Sequence, residues 1–205
     1  MNFLRHAVDF YYNSFIQRGI SQSRRRERRE RFYELFDVQP GWKILDVGCG
    51  ENFRSPWFDP TFDVTGLDYR PIEREHRAYE KFVCCDATNI PFPDQHFDLV
   101  FSNSLIEHLP TRDAQRQFAA EVMRVGKRFW IQTPNINFPV DPHYIVPFFQ
   151  HLPPKTRSFF NFDGTVLELN GKQLLSLFPS ARILDFPFAG ISQSIVAVMD
   201  SEVRH

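Results

Sequence analysis

The sequence predicts an α/β fold: a mostly parallel sheet with helices on both faces. Two observations carry this expectation. From residue 42 onward, short apolar runs of strand character alternate with helical signals, the pattern of parallel strands joined by crossover connections. The runs are also continuously apolar instead of alternating, as expected of strands covered on both faces. Hydrophobic residues at 42% and charged residues at 24% are ordinary for a globular domain, and 205 residues suffice for one substantial core.

The elements follow in order. The first 40 residues read as helical, with Phe32, Leu35 and Phe36 as the apolar end of Arg24–Phe36, until Pro40-Gly41 stops the pattern. Trp42–Gly48 (WKILDVG) is the first strand run and Asp63–Asp68 (DVTGLD) the second. Phe82–Asp86 (FVCCD), Phe97–Asn103 (FDLVFSN) and Arg128–Thr133 (RFWIQT) are the third to fifth. Between the last two, Thr111–Gly126 places Phe118, Val122 and Val125 on one helical face, with Gly126 closing the helix. After a Pro/Phe-rich stretch, GKQLLSLF from Gly171 reads as a helix, and RILDFPF and SIVAVMD as a final pair of strands.

Several classes are excluded or set aside. No apolar run approaches the roughly 18 residues of a membrane-spanning helix. Arg5, His6 and Asp9 interrupt the N-terminus, which argues against a signal peptide. Cys49, Cys84 and Cys85 form no even framework and no CxxC pair, and their apolar surroundings predict buried, reduced thiols in a cytoplasmic protein. The net charge of −1 conceals polarity, because Arg24–Arg31 (RRRERRER) carries +4 and the remainder −5. Phenylalanine is abundant, at 23 residues.

Functional groups of parallel sheets gather where strands end at the carboxyl edge. Asp46–Asn52 (DVGCGEN) ends the first run, and Gly48 and Gly50 leave room for a sharp turn and for a ligand against the backbone. Asp68 ends the second run, about twenty residues on, where a carboxylate can accept hydrogen bonds from ribose hydroxyls. Asp86 ends the third, where a carboxylate can accept from an exocyclic amine such as that of adenine. Each alone is weak, since an Asp at a strand end is more often a cap or turn residue. Three at consecutive strand ends are a stronger signal.

ILDVGCG, GLD ending at Asp68, and CDATNIPFPDQHFDLVFSNSLIEHL (Cys85–Leu109) together resemble the class I S-adenosylmethionine-dependent methyltransferases, in particular their small-molecule group. The resemblance covers residues 40–135 by motif and 40–200 by strand order. It implies a Rossmann-like, seven-stranded sheet with the last strand antiparallel, preceded by a helical extension or lid over residues 1–40 and occupying 41–205. It implies S-adenosyl-L-methionine as cofactor and S-adenosyl-L-homocysteine as product. Carried over by position, Gly48, Cys49 and Gly50 would meet the methionine part through backbone groups, and Asp46 would steady that loop or bind the amine through water. Asp68 would hold the ribose with Tyr69 beside the adenine, Asp86 and the Ala87 amide would face the adenine amino group, and Asn103 would line the sulfonium side. Two departures stand out. Asn52 occupies the position of a third glycine, and only 12 residues separate Gly50 from Asp63, so the first helix is short or irregular. The site is then either more open or covered by Trp57 and Phe58.

Methyl transfer from a sulfonium needs no metal and at most a base on the acceptor. His108 and His143 are the candidates, each with a structural alternative. Asp141 with His143 lacks a third metal ligand at suitable spacing. Residues 134–162 hold six Pro, six Phe and Tyr144, the composition of an apolar pocket wall or of a buried insertion near the acceptor. The expected partner is a small, apolar or aromatic molecule with an O, N or C nucleophile. Two alternatives remain: a tRNA or rRNA methyltransferase using the Arg24–Arg31 helix, and a noncatalytic cofactor-binding subunit. The arginine helix itself reads first as a solvated face, with Arg26/Glu30 and Glu27/Arg31 as i,i+4 pairs.

Overall fold

The computed structural model describes residues 15–51, 57–139 and 166–200. The chain divides into two compact units, residues 1–38 and 39–205.

In the first unit, helix α1 (Phe15–Leu35) carries the arginine run. Its charges pair along the helix: Arg24–Glu27 at 3.0 Å, Arg26–Glu30 at 2.8 Å and Arg31–Glu34 at 2.7 Å. The expected Glu27/Arg31 pair gives way to two i,i+3 pairs, because Arg24 and Glu34 offer each partner an equally near neighbour. The Arg29 guanidinium lies 5.6 Å from the Tyr33 ring centroid, and Phe32 and Phe36 are buried with rings 5.0 Å apart. Exposed pairs of this kind contribute about 0.2–1 kcal/mol each; the face bearing them is solvated, whereas burial pushes the Arg28 guanidinium down to about 10.

The second unit contains a seven-stranded sheet: β1 (Lys43–Val47), β2 (Asp63–Asp68), β3 (Lys81–Cys84), β4 (Leu99–Asn103), β5 (Phe129–Pro134), β6 (Arg182–Phe188) and β7 (Ile191–Met199). The spatial order is β3-β2-β1-β4-β5-β7-β6. The first five strands pair in parallel, and β7 runs antiparallel to both β5 and β6. The chain reverses its direction of travel across the sheet between β1 and β4. Side chains from the carboxyl ends of these two strands border that crevice.

The two faces of the sheet are filled differently. On one, Leu45, Val47, Val100, Phe129 and Ile131 pack with Phe118, Ala119 and Val122 of helix α2 (Arg112–Val125) and with Leu174 of helix α3 (Gly171–Leu177). Thr111 caps α2 by accepting from the Ala114 amide, and Asn170 with Gln173 forms a capping box on α3. On the other face, Trp57 stacks at 5.2 Å from Phe101 and 5.7 Å from Trp130, with Phe58 edge-on to Phe101. Trp57 and Phe58 are buried, so they fill the sheet face. Asn52 lies outside the described residues.

One expectation is borne out and one corrected. Gly126 closes α2 as expected, at φ −108° and without a left-handed turn. Its missing side chain is a matter of space, since a Cβ there would lie 2.6 Å from Val100 Cγ2 and 3.0 Å from the Arg128 carbonyl. The cysteines are all free, but Cys84 is exposed and Cys85 only partly buried. They lie at the end of β3, which among the described residues is an edge strand with one neighbour. Among the described residues no helix is long and apolar enough to cross a membrane.

Gly126→Ala is expected to cost about 1–3 kcal/mol through overpacking against Val100; urea denaturation monitored by Trp fluorescence measures it.

Candidate functional site

The turn after β1 begins at a shared acceptor. The amides of Gly48 and Cys49 both donate to the Leu67 carbonyl, at 2.7 and 3.2 Å, which binds the loop to the end of β2. That turn requires φ of +78° at Gly48 and +64° at Gly50, a region costly for residues with a Cβ. At Gly48 a Cβ would also press on Leu105 at 3.1 Å, whereas at Gly50 nothing among the described residues lies within 4 Å of the Cβ position. The loop is therefore packed beneath and open above, as a backbone cradle for a ligand requires. On β4, the Ser102 hydroxyl donates to the Val47 carbonyl at 3.0 Å and holds the two central strands together beside the turn.

Asp68 closes the loop from the β2 side. Its carboxylate accepts from the Gly50 amide at 3.1 Å and from the Arg70 amide and guanidinium at 3.0 and 3.2 Å. Burial by itself would raise its pKa, but the Arg70 and Gly50 donors outweigh burial and hold it below the usual carboxylate range. Tyr69, next to it, is exposed and lies under the Arg70 guanidinium, 5.8 Å away.

Asp46 sits deeper, 4% exposed, and accepts a 2.7 Å hydrogen bond from the Tyr79 hydroxyl. Burial pushes its pKa up to about 7, with the Tyr79 bond pulling the other way. The nearby Cys49 thiol is pushed up to about 12, first by burial and then by Asp46 and Asp68, so it is an un-ionised wall group. At the end of β3, Asp86 is exposed, and its Oδ1 accepts from the amide and hydroxyl of Thr88, both at 2.8 Å. That is the turn-residue geometry, and it places the buried Ala87 just beyond the strand.

Asn103 ends β4, exposed, in register with Gln132 of β5. The next residue, Ser104, adopts φ +59° and donates its amide to the Gln132 carbonyl. A short 3-10 turn (Ile106–His108) follows. Here Glu107 is fully buried and accepts from the Thr133 hydroxyl at 3.0 Å, anchoring the turn to β5, while His108 stays exposed. His143, Asp141 and most of the 134–162 segment lie outside the described residues.

The structure therefore brings Asp46, Gly48, Cys49, Gly50 and Asp68 into one cluster, with Tyr69, Asp86, Ala87 and Asn103 along the same sheet edge. Sequence reasoning missed Arg70, Tyr79 and Gln132. Arg70 had a legible signal, a cation two residues after a strand-end carboxylate. Tyr79 had none, since it meets Asp46 across 33 residues. Gln132 is buried, and its carboxamide oxygen has no hydrogen-bond partner among the described residues.

Residues 45–128 match the family model described as a methyltransferase domain. The chain is 38% identical over 103 residues to 2-methyl-6-phytyl-1,4-hydroquinone methyltransferase from Synechocystis, covering 45% of this chain and 31% of that one. Among solved structures, the PH0226 protein of Pyrococcus horikoshii superposes with a TM-score of 0.63 at 18% identity, over 92% of both chains. A Burkholderia thailandensis 1,6-didemethyltoxoflavin-N1-methyltransferase, solved with its substrate and S-adenosylhomocysteine, gives 0.55 at 16% identity, over 97% of this chain and 87% of that one. The chain spans less than half the length of the curated relatives it matches.

The two buried carboxylates respond oppositely to pH. Between about pH 4 and 7 the unfolded chain ionises Asp46 while the folded carboxyl keeps its proton, so stability falls as pH rises to about 7. Asp68 contributes stability above the ordinary carboxylate pKa of roughly 4, loses it only in acid, and is flat across that window. Asp46→Asn is therefore expected to lose about 2–3 kcal/mol less stability than the wild type between pH 5 and 8, read from urea midpoints at the two pH values.

Proposed function

We propose that the chain is a class I S-adenosylmethionine-dependent methyltransferase that moves the cofactor's methyl group to an O, N or C nucleophile of a small apolar or aromatic acceptor. One observation carries this reading: a buried, ionised strand-end carboxylate, Asp68, bonded to Gly50 of the glycine loop at the sheet's reversal point. The residues fit the group, since open space adjoins Gly50 and carboxylates suited to a ribose and an amine flank the loop.

Asp68 holds the ribose hydroxyls. A carboxylate offers about four acceptor sites; one bond from Gly50 and two from Arg70 leave about one, so holding both hydroxyls displaces the Arg70 guanidinium, the more exposed of the donors. Asp46 attracts the amine of the amino-acid arm, with the Gly48–Gly50 backbone along that arm. Asp86 and the Ala87 amide border the adenine, and Tyr69, exposed beside them, covers one ring face. Asn103 lines the sulfonium side.

When bound, the cofactor supplies a methyl group already activated by positive sulfur. This chain's task is then alignment and exclusion of water. His108, on the turn that Glu107 and Thr133 anchor, takes the acceptor's proton where one must leave; His143 is the second candidate for that role. An apolar or aromatic acceptor is supported by the Pro/Phe-rich 134–162 composition and by the hydroquinone and toxoflavin substrates named for the relatives. The paired arginines of α1 give the RNA alternative no comparable support.

Isothermal calorimetry with S-adenosylhomocysteine tests the site. Asp68→Ala is expected to weaken binding by about ten-fold or more, as loss of hydrogen bonds to a charged group implies; unchanged affinity would remove the assignment. Incubating acceptor pools with methyl-labelled cofactor is expected to label a small organic molecule. Label appearing in RNA would favour the alternative instead.

A further inference from the structure

We propose that Tyr79 is a positioning residue, whose hydroxyl holds the Asp46 carboxyl in place for the amino group of the cofactor's amino-acid arm. This rests on the cofactor reading above and goes beyond it, because nothing in the motifs assigns Tyr79.

The geometry has been built for this contact. Tyr79 and Asp46 are both buried and meet at 2.7 Å across 33 residues of chain. The tyrosine ring reaches Asp46 through a gap in β2. Gly66, the register partner of Asp46, has a Cβ position only 2.9 Å from Tyr79 Cδ2 and 2.9 Å from Cys49 Sγ. A glycine inside a strand marks close approach of another group; here the group is this ring.

The choice of donor matters as much as its position. A buried carboxylate needs a hydrogen bond to offset its lost hydration. Arg70 supplies Asp68 with a bond and also a countercharge. Tyr79 supplies Asp46 with a neutral donor, which favours ionisation and leaves the negative charge for an incoming ammonium. The titratable groups around Asp46 are consistent with that division. Tyr79 faces it from the segment before β3, and Cys49 from the loop after its own strand, un-ionised. The flanking strands place Gly66 and Phe101 in register beside it, and Asp68 with Arg70 lies beyond Cys49. The Tyr79 bond also opposes the upward push of burial on Asp46, so its loss would move ionisation to higher pH.

The test compares two ligands on the full chain by calorimetry: S-adenosylhomocysteine, and 5′-methylthioadenosine, which lacks the amino-acid arm. Tyr79→Phe is expected to weaken the first by about ten-fold at pH 7 while changing the second by less than about two-fold, the size of one charged-acceptor hydrogen bond. Between pH 6 and 8, the rise in S-adenosylhomocysteine affinity with pH is expected to shift upward in Tyr79→Phe and to vanish in Asp46→Asn. Gly66→Ala, which keeps the phenol but displaces its ring, is expected to reproduce the selective loss. Equal loss for both ligands would reduce Tyr79 to a packing residue and overturn the proposal. So would unchanged affinity with an unchanged pH profile. A wild-type chain that binds neither ligand overturns the cofactor reading itself, a result distinct from either.

Discussion

The tight turn after β1 is the constraint on which the site depends. A strand in the middle of a parallel sheet must leave the sheet at its carboxyl end without stranding buried amides. Here the Leu67 carbonyl accepts from both Gly48 and Cys49, and Asp68 accepts from Gly50. The same three bonds that satisfy the backbone draw the ends of β1 and β2 together. They also fix where the Asp68 carboxylate points. Left-handed φ at two glycines is what makes the geometry accessible.

From that turn the rest of the edge follows. Ser102 bonds β4 to β1 just below it, and the Ser104 amide bonds to β5 just beyond Asn103. Buried Glu107 then ties the His108 turn to Thr133. Each strand end is thereby bound to its neighbour by a side chain or an amide, and the candidate site residues sit on a braced rim. Two buried carboxylates within that rim are kept in different electrostatic states by different donors, a guanidinium at Asp68 and a phenol at Asp46.

Below the rim, the sheet shows how a shortened connection is compensated. The short span between Gly50 and Asp63 leaves little chain to cover the face bearing Phe101 and Trp130. Trp57 and Phe58 supply large aromatic area there instead, about 150–250 Å² per buried aromatic side chain. On the opposite face α2 and α3 pack in the ordinary way. The phenylalanine-rich composition is thus partly a packing solution: Phe97, Phe118, Phe129 and Phe178 build one face and Phe58, Phe101 and Phe186 the other.

Strand order, the carboxylates at successive strand ends and the glycine turn were legible in the sequence, because each rests on local signals: an apolar run, a period, a residue with unusual φ. The same locality sets the limits. Gly126 read as the end of a helix, which it is, but its packing against Val100 on another element had no local signal. Cys84 read as buried, and only the edge position of β3 leaves it exposed. Glu27 chose Arg24 over Arg31 because both lie within reach on one helix. The sequence by itself determined which residues stand at the sheet edge. Tertiary structure alone decided the burial and hydrogen bonding of Asp46, since Tyr79 arrives from 33 residues away over Gly66. Desolvation and long-range hydrogen bonds depend on what the fold brings near, and no local pattern encodes that.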